Sequence, residues 1–157
     1  MATARHTRKA RHSVHPKRGE IYLAALDPTL GPEVRKTRPA LVVQNDTSNR
    51  YDATIMVAPI TSTVRFPISP VHVLLPAGPY TGLAVPSVAV FSQIRAVDHT
   101  RLMRKLGEAS AEAMIEVDRA IHVGFGLTCL ELGPSGPTIT KAISESVKGL
   151  KTGRYEP

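Results

Sequence analysis

The apolar residues of this chain fall in short runs separated by Pro- and Gly-containing segments, and this spacing constrains the fold more than any other feature. No run approaches the ~18 residues that a membrane-spanning helix needs. Strands do not alternate with long helical segments, which argues against a parallel α/β sheet. We therefore expect short antiparallel strands, with the second and third forming a buried β-hairpin. The expected strands are residues 20–25, 39–44, 53–60, 71–75, 87–91 and 93–98.

One segment near the C-terminus predicts an amphipathic helix. Ser110 is a favoured N-cap residue, and Glu112 follows in the first turn, where the helix dipole stabilises negative charge. Met114, Val117 and Ile121 then recur at helical spacing on one face. The sequence thus predicts a mainly β (α+β) fold, a small antiparallel barrel of five to seven strands with this helix closing it.

The positive charge of the chain lies mostly at its ends. The formal net charge is +7, and residues 1–18 contribute six basic side chains with no acid. Residues 19–132 carry 10 basic and 11 acidic side chains, so the expected globular part is close to neutral. The high net charge therefore does not by itself indicate that the folded domain binds nucleic acid. We predict a disordered basic arm (1–17), one domain (18–131) and a linker with a tail (132–157).

Composition and missing motifs exclude several classes of protein. The single cysteine, Cys129, can form neither an intrachain disulfide nor a Cys-based zinc cluster. Phosphate-loop, metalloprotease and serine-hydrolase motifs are absent, and the carboxylates of the middle region are isolated, so we predict no metal and no cofactor. We expect a soluble cytoplasmic protein with no membrane association. The Arg-rich, acid-free N-terminus leaves a transit peptide as an alternative.

A basic cluster and a hydroxyl cluster are the candidate site. The sequence Arg35-Lys36-Thr37-Arg38-Pro39 closes a long loop and leads into the most apolar strand. Pro39 restricts the backbone of Arg38, whose guanidinium suits phosphate binding. Thr61 and Ser62 follow the third strand, and the predicted hairpin places Thr61 near Arg38. The alternatives are a solvated basic loop and hydroxyl residues that only form a turn.

Several motifs, in order and at ordinary spacing over about residues 17–130, make the chain resemble the MazF/PemK (Kid) toxin family. The first are Arg18-Gly19-Glu20-Ile21-Tyr22, Asp27-Pro28 with Gly31-x-Glu33, and Arg38-Pro39-Ala40-Leu41-Val42-Val43-Gln44-Asn45-Asp46. The later ones are Ala58-Pro59-Ile60-Thr61-Ser62, Ser87-Val88-Ala89-Val90 and Gln93-Ile94-Arg95. The resemblance implies an SH3-like β-barrel of the CcdB/Kid/MazF type. It also implies a homodimeric toxin of a toxin–antitoxin pair that cleaves single-stranded mRNA at short sequences without a metal ion.

The resemblance also implies residue roles. Arg38 and Thr61 match the family's catalytic Arg and Thr, and Glu33 occupies the place of a loop Glu with a role in some members. Gln93 and Arg95 match a recurrent pattern whose side chains line the RNA groove or the dimer surface. We add Arg35, Lys36 and Ser62, which lie beside the catalytic positions in the sequence. The chain differs from many relatives in having Val34-Arg35-Lys36-Thr37, which is bulky and basic, where small residues and Gly are common. The predicted RNA-binding residues are Arg35, Lys36, Ser62, Gln93 and Arg95.

The expected chemistry needs only the substrate's own nucleophile. The 2′-OH beside the scissile phosphate attacks it, leaving a 2′,3′-cyclic phosphate and a 5′-OH. We expect an acidic, extended MazE-like antitoxin to cover the site. Two alternatives remain open at the level of sequence: a CcdB-like gyrase poison with the same fold, and a non-catalytic RNA-binding barrel.

Overall fold

Seven β-strands and two α-helices make up the part of the chain that the computed structural model describes, residues 15–28 and 36–127. The strands are β1 (Glu20–Ala25), β2 (Thr37–Val42), β3 (Thr54–Thr61), β4 (His72–Leu75), β5 (Ser87–Val90), β6 (Arg95–Asp98) and β7 (Leu102–Glu108). The helices are α1 (Asp46–Tyr51) and α2 (Ala111–Gly124), and two short 3-10 helices, Phe91–Gln93 and His99–Arg101, flank β6. None of the described helices is long and apolar enough to cross a membrane.

All strand pairs are antiparallel, in the order β4-β5-β3-β2-β1-β7, with β6 also paired to β3. Strand β3 is the centre of this arrangement because it pairs with β2, with β6 through its first half and with β5 through its last two residues. The antiparallel mainly β fold predicted from the sequence is confirmed. No pairing joins the outer strands β4 and β7, so the described sheet is a curled, barrel-like sheet that remains open.

The sheet buries apolar side chains on both of its faces. On one face, β1 to β5 and helix α2 enclose the larger core, which includes Ile21, Leu41, Ile60 and Val117. The opposite face carries a smaller core formed by alternate residues of β1, β2, β3 and β6 together with Leu26. Burial on both faces explains why β2 and β3 appear in the sequence as continuous apolar runs rather than as alternating patterns.

Helix α2 begins where the sequence predicts. The Ser110 side chain accepts a hydrogen bond from the Ala113 backbone N–H (3.2 Å), as an N-cap residue does. Val117 is fully buried, and Met114 and Ile121 are partly buried against the larger core. The predicted apolar stripe therefore faces the sheet. The small residues Ala113 and Ala120 are also buried there and let the helix approach closely.

Two elements differ from the sequence prediction. Residues 45–52 lie between the second and third expected strands, where no helix was predicted. They contain α1, which begins because the Asn45 side chain accepts a hydrogen bond from the Ser48 backbone N–H (2.9 Å). Strand β7 was not predicted at all. Its side chains are exposed or half-buried throughout, since β7 lies at the edge of the sheet, so its sequence shows no apolar run.

Candidate active site

The candidate site lies at one end of the hairpin formed by β2 and β3. Their register pairs Ala40 with Pro59 and Val42 with Val57. Continuing this register by two residues sets Arg38 opposite Thr61. Because side chains alternate along strands, Arg38 lies on the same sheet face as Ala40, and Thr61 on the same face as Pro59. The two residues predicted to act together therefore end neighbouring strands on a common face.

Arg38 is held in place by the pairing of β2 with β1. Its Cα is paired with that of Ala24 in β1, and one step further Thr37 pairs with Ala25. Beyond the strand, the Leu26 backbone N–H donates to the Lys36 carbonyl oxygen (3.1 Å). The Arg38 side chain is half-buried, and Pro39 follows it with a fixed φ. The guanidinium thus extends from a backbone whose position is fixed by pairing with β1.

Lys36 has an unusual backbone conformation. Its φ is +68°, which makes it the one described non-glycine residue with a positive φ. A lysine in this left-handed region costs about 1 kcal/mol or more, and such strain is concentrated at functional sites. The side chain is exposed. Glycine adopts this conformation without strain, and here it presents a lysine two residues before Arg38.

Thr61 has a hydroxyl group with a defined orientation. Its Oγ1 accepts a hydrogen bond from the Thr63 backbone N–H (3.2 Å), and the residue is half-buried at the end of β3. A hydroxyl that accepts one hydrogen bond still carries its own proton for donation. The side chain can therefore act as a hydrogen-bond donor to a group placed between β2 and β3. Ser62, the next residue, is also half-buried.

Of the two residues from the Gln93-Ile94-Arg95 motif, Arg95 lies nearer the candidate site. It begins β6 and pairs with Val57 of β3, so it shares the face that Pro59 and Thr61 occupy, four residues along the strand from Thr61. Gln93 ends the 3-10 helix before β6. Both side chains are half-buried. The structure therefore brings Arg38, Thr61 and Arg95 onto one face. Two predicted site residues, Glu33 and Arg35, lie outside the described residues, as do residues 1–14 of the predicted arm and the whole predicted tail.

A buried carboxylate on β1 forms a polar network beside the site. Glu20 is 8% exposed, and its carboxylate accepts hydrogen bonds from the Lys17 backbone N–H (2.8 Å), the Tyr22 hydroxyl (3.0 Å) and the Lys105 ammonium (2.7 Å). Burial acts to raise the pKa of Glu20, but these donors outweigh it and leave the pKa below its ordinary value. Glu20 and Tyr22 belong to the first of the sequence motifs. Their contact with Lys105 could not be predicted, because Lys105 lies in the unpredicted strand β7.

The same network excludes Tyr22 as a base near neutral pH. Burial and the hydrogen bond to Glu20 raise the pKa of the Tyr22 phenol to about 12. Tyr22 lies on β1 two residues before Ala24, the partner of Arg38, and so shares its face. At physiological pH the phenol is neutral and its proton is committed to Glu20. This tyrosine can support the site but cannot abstract a proton from a substrate.

Within residues 15–28 and 36–127, no group of three or more His, Cys, Asp or Glu side chains is arranged to hold a metal ion. Besides the Glu20–Tyr22 pair, strand alternation places two cations and a hydroxyl group on the site face, those of Arg38, Arg95 and Thr61. Such an arrangement suits an anionic ligand, with the guanidinium groups supplying paired hydrogen bonds.

Comparison with known proteins finds similar endoribonucleases and MazF structures. The chain is 41% identical over 111 residues to an endoribonuclease MazF of Staphylococcus epidermidis, covering 71% of this chain and 92% of that protein. The structure is similar to that of MazF from Deinococcus radiodurans, with a TM-score of 0.62 and 28% identity, covering 73% of this chain and 100% of that one. It is also similar to an endoribonuclease in complex with its cognate antitoxin from Mycobacterial species, with a TM-score of 0.60 and 26% identity, covering 73% and 98%.

A family model matches most of the described structure. It spans residues 17–125, from the segment before β1 to the end of α2, and its description is a PemK-like, MazF-like toxin of a type II toxin–antitoxin system. The match includes β2, β3 and β6, which carry Arg38, Thr61 and Arg95. The chain belongs to the family of PemK-like, MazF-like toxins of type II toxin–antitoxin systems.

Proposed function

We propose that this toxin is a sequence-specific endoribonuclease that cleaves single-stranded RNA, mRNA in particular, at the face carrying Arg38 and Thr61. The supporting observation is the register of β2 and β3, which pairs Ala40 with Pro59 and, continued by two residues along each strand, leads to Arg38 and Thr61. In the proposed reaction, the Arg38 guanidinium and the Thr61 hydroxyl bind the phosphate group while it is transferred from one ester oxygen to another. Relatives at this level of identity carry the name endoribonuclease.

The reaction uses a nucleophile that RNA itself carries. The 2′-OH attacks the adjacent phosphorus, the bond from phosphorus to the 5′ oxygen of the next nucleotide breaks, and the products end in a 2′,3′-cyclic phosphate and a 5′-OH. Negative charge develops on the phosphorane oxygens. The Arg38 guanidinium donates to these oxygens, and the Thr61 hydroxyl, oriented by Thr63, donates a second hydrogen bond.

The proton of the 2′-OH must pass to a base. Arg38 is a poor candidate because an arginine guanidinium does not give up its proton in proteins. Tyr22 is excluded by its raised pKa of about 12. We assign the base to Glu33, a carboxylate in the segment between β1 and β2, and we place the RNA-binding role on Arg35, Lys36, Ser62, Gln93 and Arg95.

The first test is the metal requirement and the chemistry of the product ends. We expect a defined single-stranded RNA to be cleaved at an unchanged rate in excess EDTA, because 2′-OH attack does not need a metal-activated water. Mass analysis of the fragments should find a 2′,3′-cyclic phosphate upstream and a 5′-OH downstream. Loss of cleavage in EDTA, or a 5′-phosphate on the downstream fragment, would contradict this mechanism. Inhibition of gyrase supercoiling without RNA cleavage would instead identify a gyrase poison.

Thr61 gives a graded test of the second donor. We expect Thr61→Ala to lower kcat by about 10-fold, since it removes one neutral hydrogen bond, worth about 1 kcal/mol, to the developing charge. Thr61→Ser keeps the hydroxyl and should retain kcat within about threefold. Single-turnover cleavage of one RNA by both variants is the measurement. Equal losses in the two variants would show that the methyl group, and not the hydroxyl, is what matters.

We further propose that the protein acts as a cytoplasmic homodimer and is inhibited by an acidic, extended antitoxin segment. The support is the cationic character of the site face together with the antitoxin complex formed by a structural relative. An acidic segment that folds on binding would compete with RNA for Arg38 and Arg95. A complex in which both arginines stay accessible while cleavage is inhibited would contradict direct blocking of the site.

A further inference from the structure

The 3-10 helix His99–Arg101 carries an arginine whose side chain binds the backbone of another strand. Arg101 Nη1 donates to the carbonyl oxygen of Asp27 (2.6 Å) and lies 3.3 Å from that of Ala25. These two carbonyls follow the end of the β1–β7 ladder, in which Ala24 pairs with Leu102, the first residue of β7. One arginine side chain therefore binds the backbone of β1 just beyond its last strand partner.

The carbonyl groups of Ala25 and Asp27 have no strand backbone beside them to donate a hydrogen bond, and Arg101 supplies the donor. Successive residues of a strand direct their backbone groups to opposite edges. Leu26 donates its N–H toward β2, to Lys36, so Ala25 and Asp27 direct their carbonyls toward the β7 edge. At that edge the chain has turned into the 3-10 helix and offers no strand backbone to donate. The guanidinium takes the place of the missing donors and extends β1 by two residues.

These residues are directly connected to Arg38. Ala25, bound by Arg101, pairs with Thr37, and the preceding Ala24 pairs with Arg38 itself. The Leu26 hydrogen bond to Lys36 then fixes the residue with the left-handed backbone. Moving the end of β1 would therefore move the backbone that carries Arg38.

We propose that Arg101 is a positioning residue for the reaction: it fixes the end of β1 and thereby the Lys36–Arg38 segment in the geometry that the phosphate requires. The proposal rests on the proposed function in so far as it concerns catalysis. The proposed roles of Arg101 and Arg38 differ, because Arg101 acts through the backbone of β1 and does not touch the RNA. A misplaced guanidinium lowers the rate of the chemical step more than it weakens binding.

The test uses Arg101→Ala, Arg101→Lys and the control Arg104→Ala, which removes an exposed arginine from the neighbouring strand β7. For Arg101→Ala we expect hydrogen exchange of the Leu26 amide to become roughly 10- to 100-fold faster, because a charge-assisted contact no longer holds the strand end. We also expect kcat to fall about 10-fold with KM changed less than about threefold. Arg101→Lys, which keeps one cationic donor, should give intermediate values, and Arg104→Ala should match the unmodified protein in Leu26 exchange and kcat.

The opposing results are separable. A raised KM at unchanged kcat, with a weaker dependence of KM on salt, would overturn the proposal and make Arg101 a phosphate contact. Unchanged Leu26 exchange would overturn it regardless of activity. If Arg38→Ala is fully active, the proposed function fails at this site, yet the Leu26 measurement still decides whether Arg101 holds the strand end. Should Arg101→Ala not fold, Arg101→Lys provides both measurements.

Discussion

Arg38→Ala is expected to lower kcat on a defined RNA by roughly 100- to 1,000-fold, the loss seen when one preorganised donor to a developing oxyanion is removed. The effect is large because the guanidinium is charged and offers two parallel hydrogen bonds to a phosphate. Arg38→Lys keeps the charge without the planar fork and should recover only part of the rate. Single-turnover cleavage with saturating enzyme measures the chemical step directly.

Arg50→Ala is the matched control for this variant. Arg50 is an exposed arginine in α1, at the opposite end of the β2–β3 hairpin from Arg38. Its replacement should leave kcat within about twofold, since it removes the same charge from a distant place. Both variants should keep thermal midpoints within about 4 °C of the unmodified protein, a shift that corresponds to about 1 kcal/mol. Full activity of a folded Arg38→Ala protein would mean that the site lies elsewhere.

A large effect on stability is expected at Gly107 in β7. A Cβ built there would lie 2.2 Å from the Tyr80 carbonyl oxygen and 2.5 Å from the Thr81 carbonyl carbon, both backbone atoms. Neither can rotate away, so Gly107→Ala must separate the 78–83 turn from β7 and break the hydrogen bond from the Glu108 N–H to the Tyr80 carbonyl (3.0 Å). We expect a loss of about 3 kcal/mol or more in the free energy of unfolding.

Gly124→Ala separates this clash from the general effect of replacing a glycine. Gly124 is the last residue of α2, and a Cβ there would make an ordinary 3.5 Å contact with Val71 Cγ1. Alanine favours a helix over glycine, so this variant should be as stable as the unmodified protein or more stable, by up to about 1 kcal/mol. Urea unfolding of both variants is the measurement. Equal stability of the two would show that the turn can move away from β7 at little cost.

Sequence patterns predicted the elements whose stability comes from burial or from a cap. Strands β2 and β3 are visible because both of their faces are covered, and α2 is visible because Ser110 caps a periodic segment. Strand β7 could not be found in the same way, since an edge strand with exposed side chains carries no such signal. Helix α1 was hidden for a different reason: its six residues are almost all polar, and its Asn45 cap resembles ordinary turn chemistry.

The candidate site was likewise predictable from the sequence only in part. The proximity of Arg38 and Thr61 followed from hairpin geometry, because the outer ends of two antiparallel neighbours must meet, and the observed register agrees with it. Their chemical roles remain a prediction. The partners of Glu20 and of Ala25 were beyond reach, since Lys105 and Arg101 lie about 75 to 85 residues away in the sequence and approach only through β7 pairing. Contacts between residues so far apart in the sequence produce no periodic pattern that a single sequence could show.

The pairing order of the strands also determines when the proposed site can form during synthesis of the chain. Arg38 emerges from the ribosome early, but β1, which supports it, obtains its other neighbour only with Leu102–Glu108. Thr61 likewise depends on β5, whose partner residue Val88 comes 27 positions later. The nascent chain therefore exposes Arg38 and Thr61, the proposed catalytic residues, long before it can align them. Nearly the whole domain must therefore leave the ribosome before the proposed site can form beside the mRNA that encodes it.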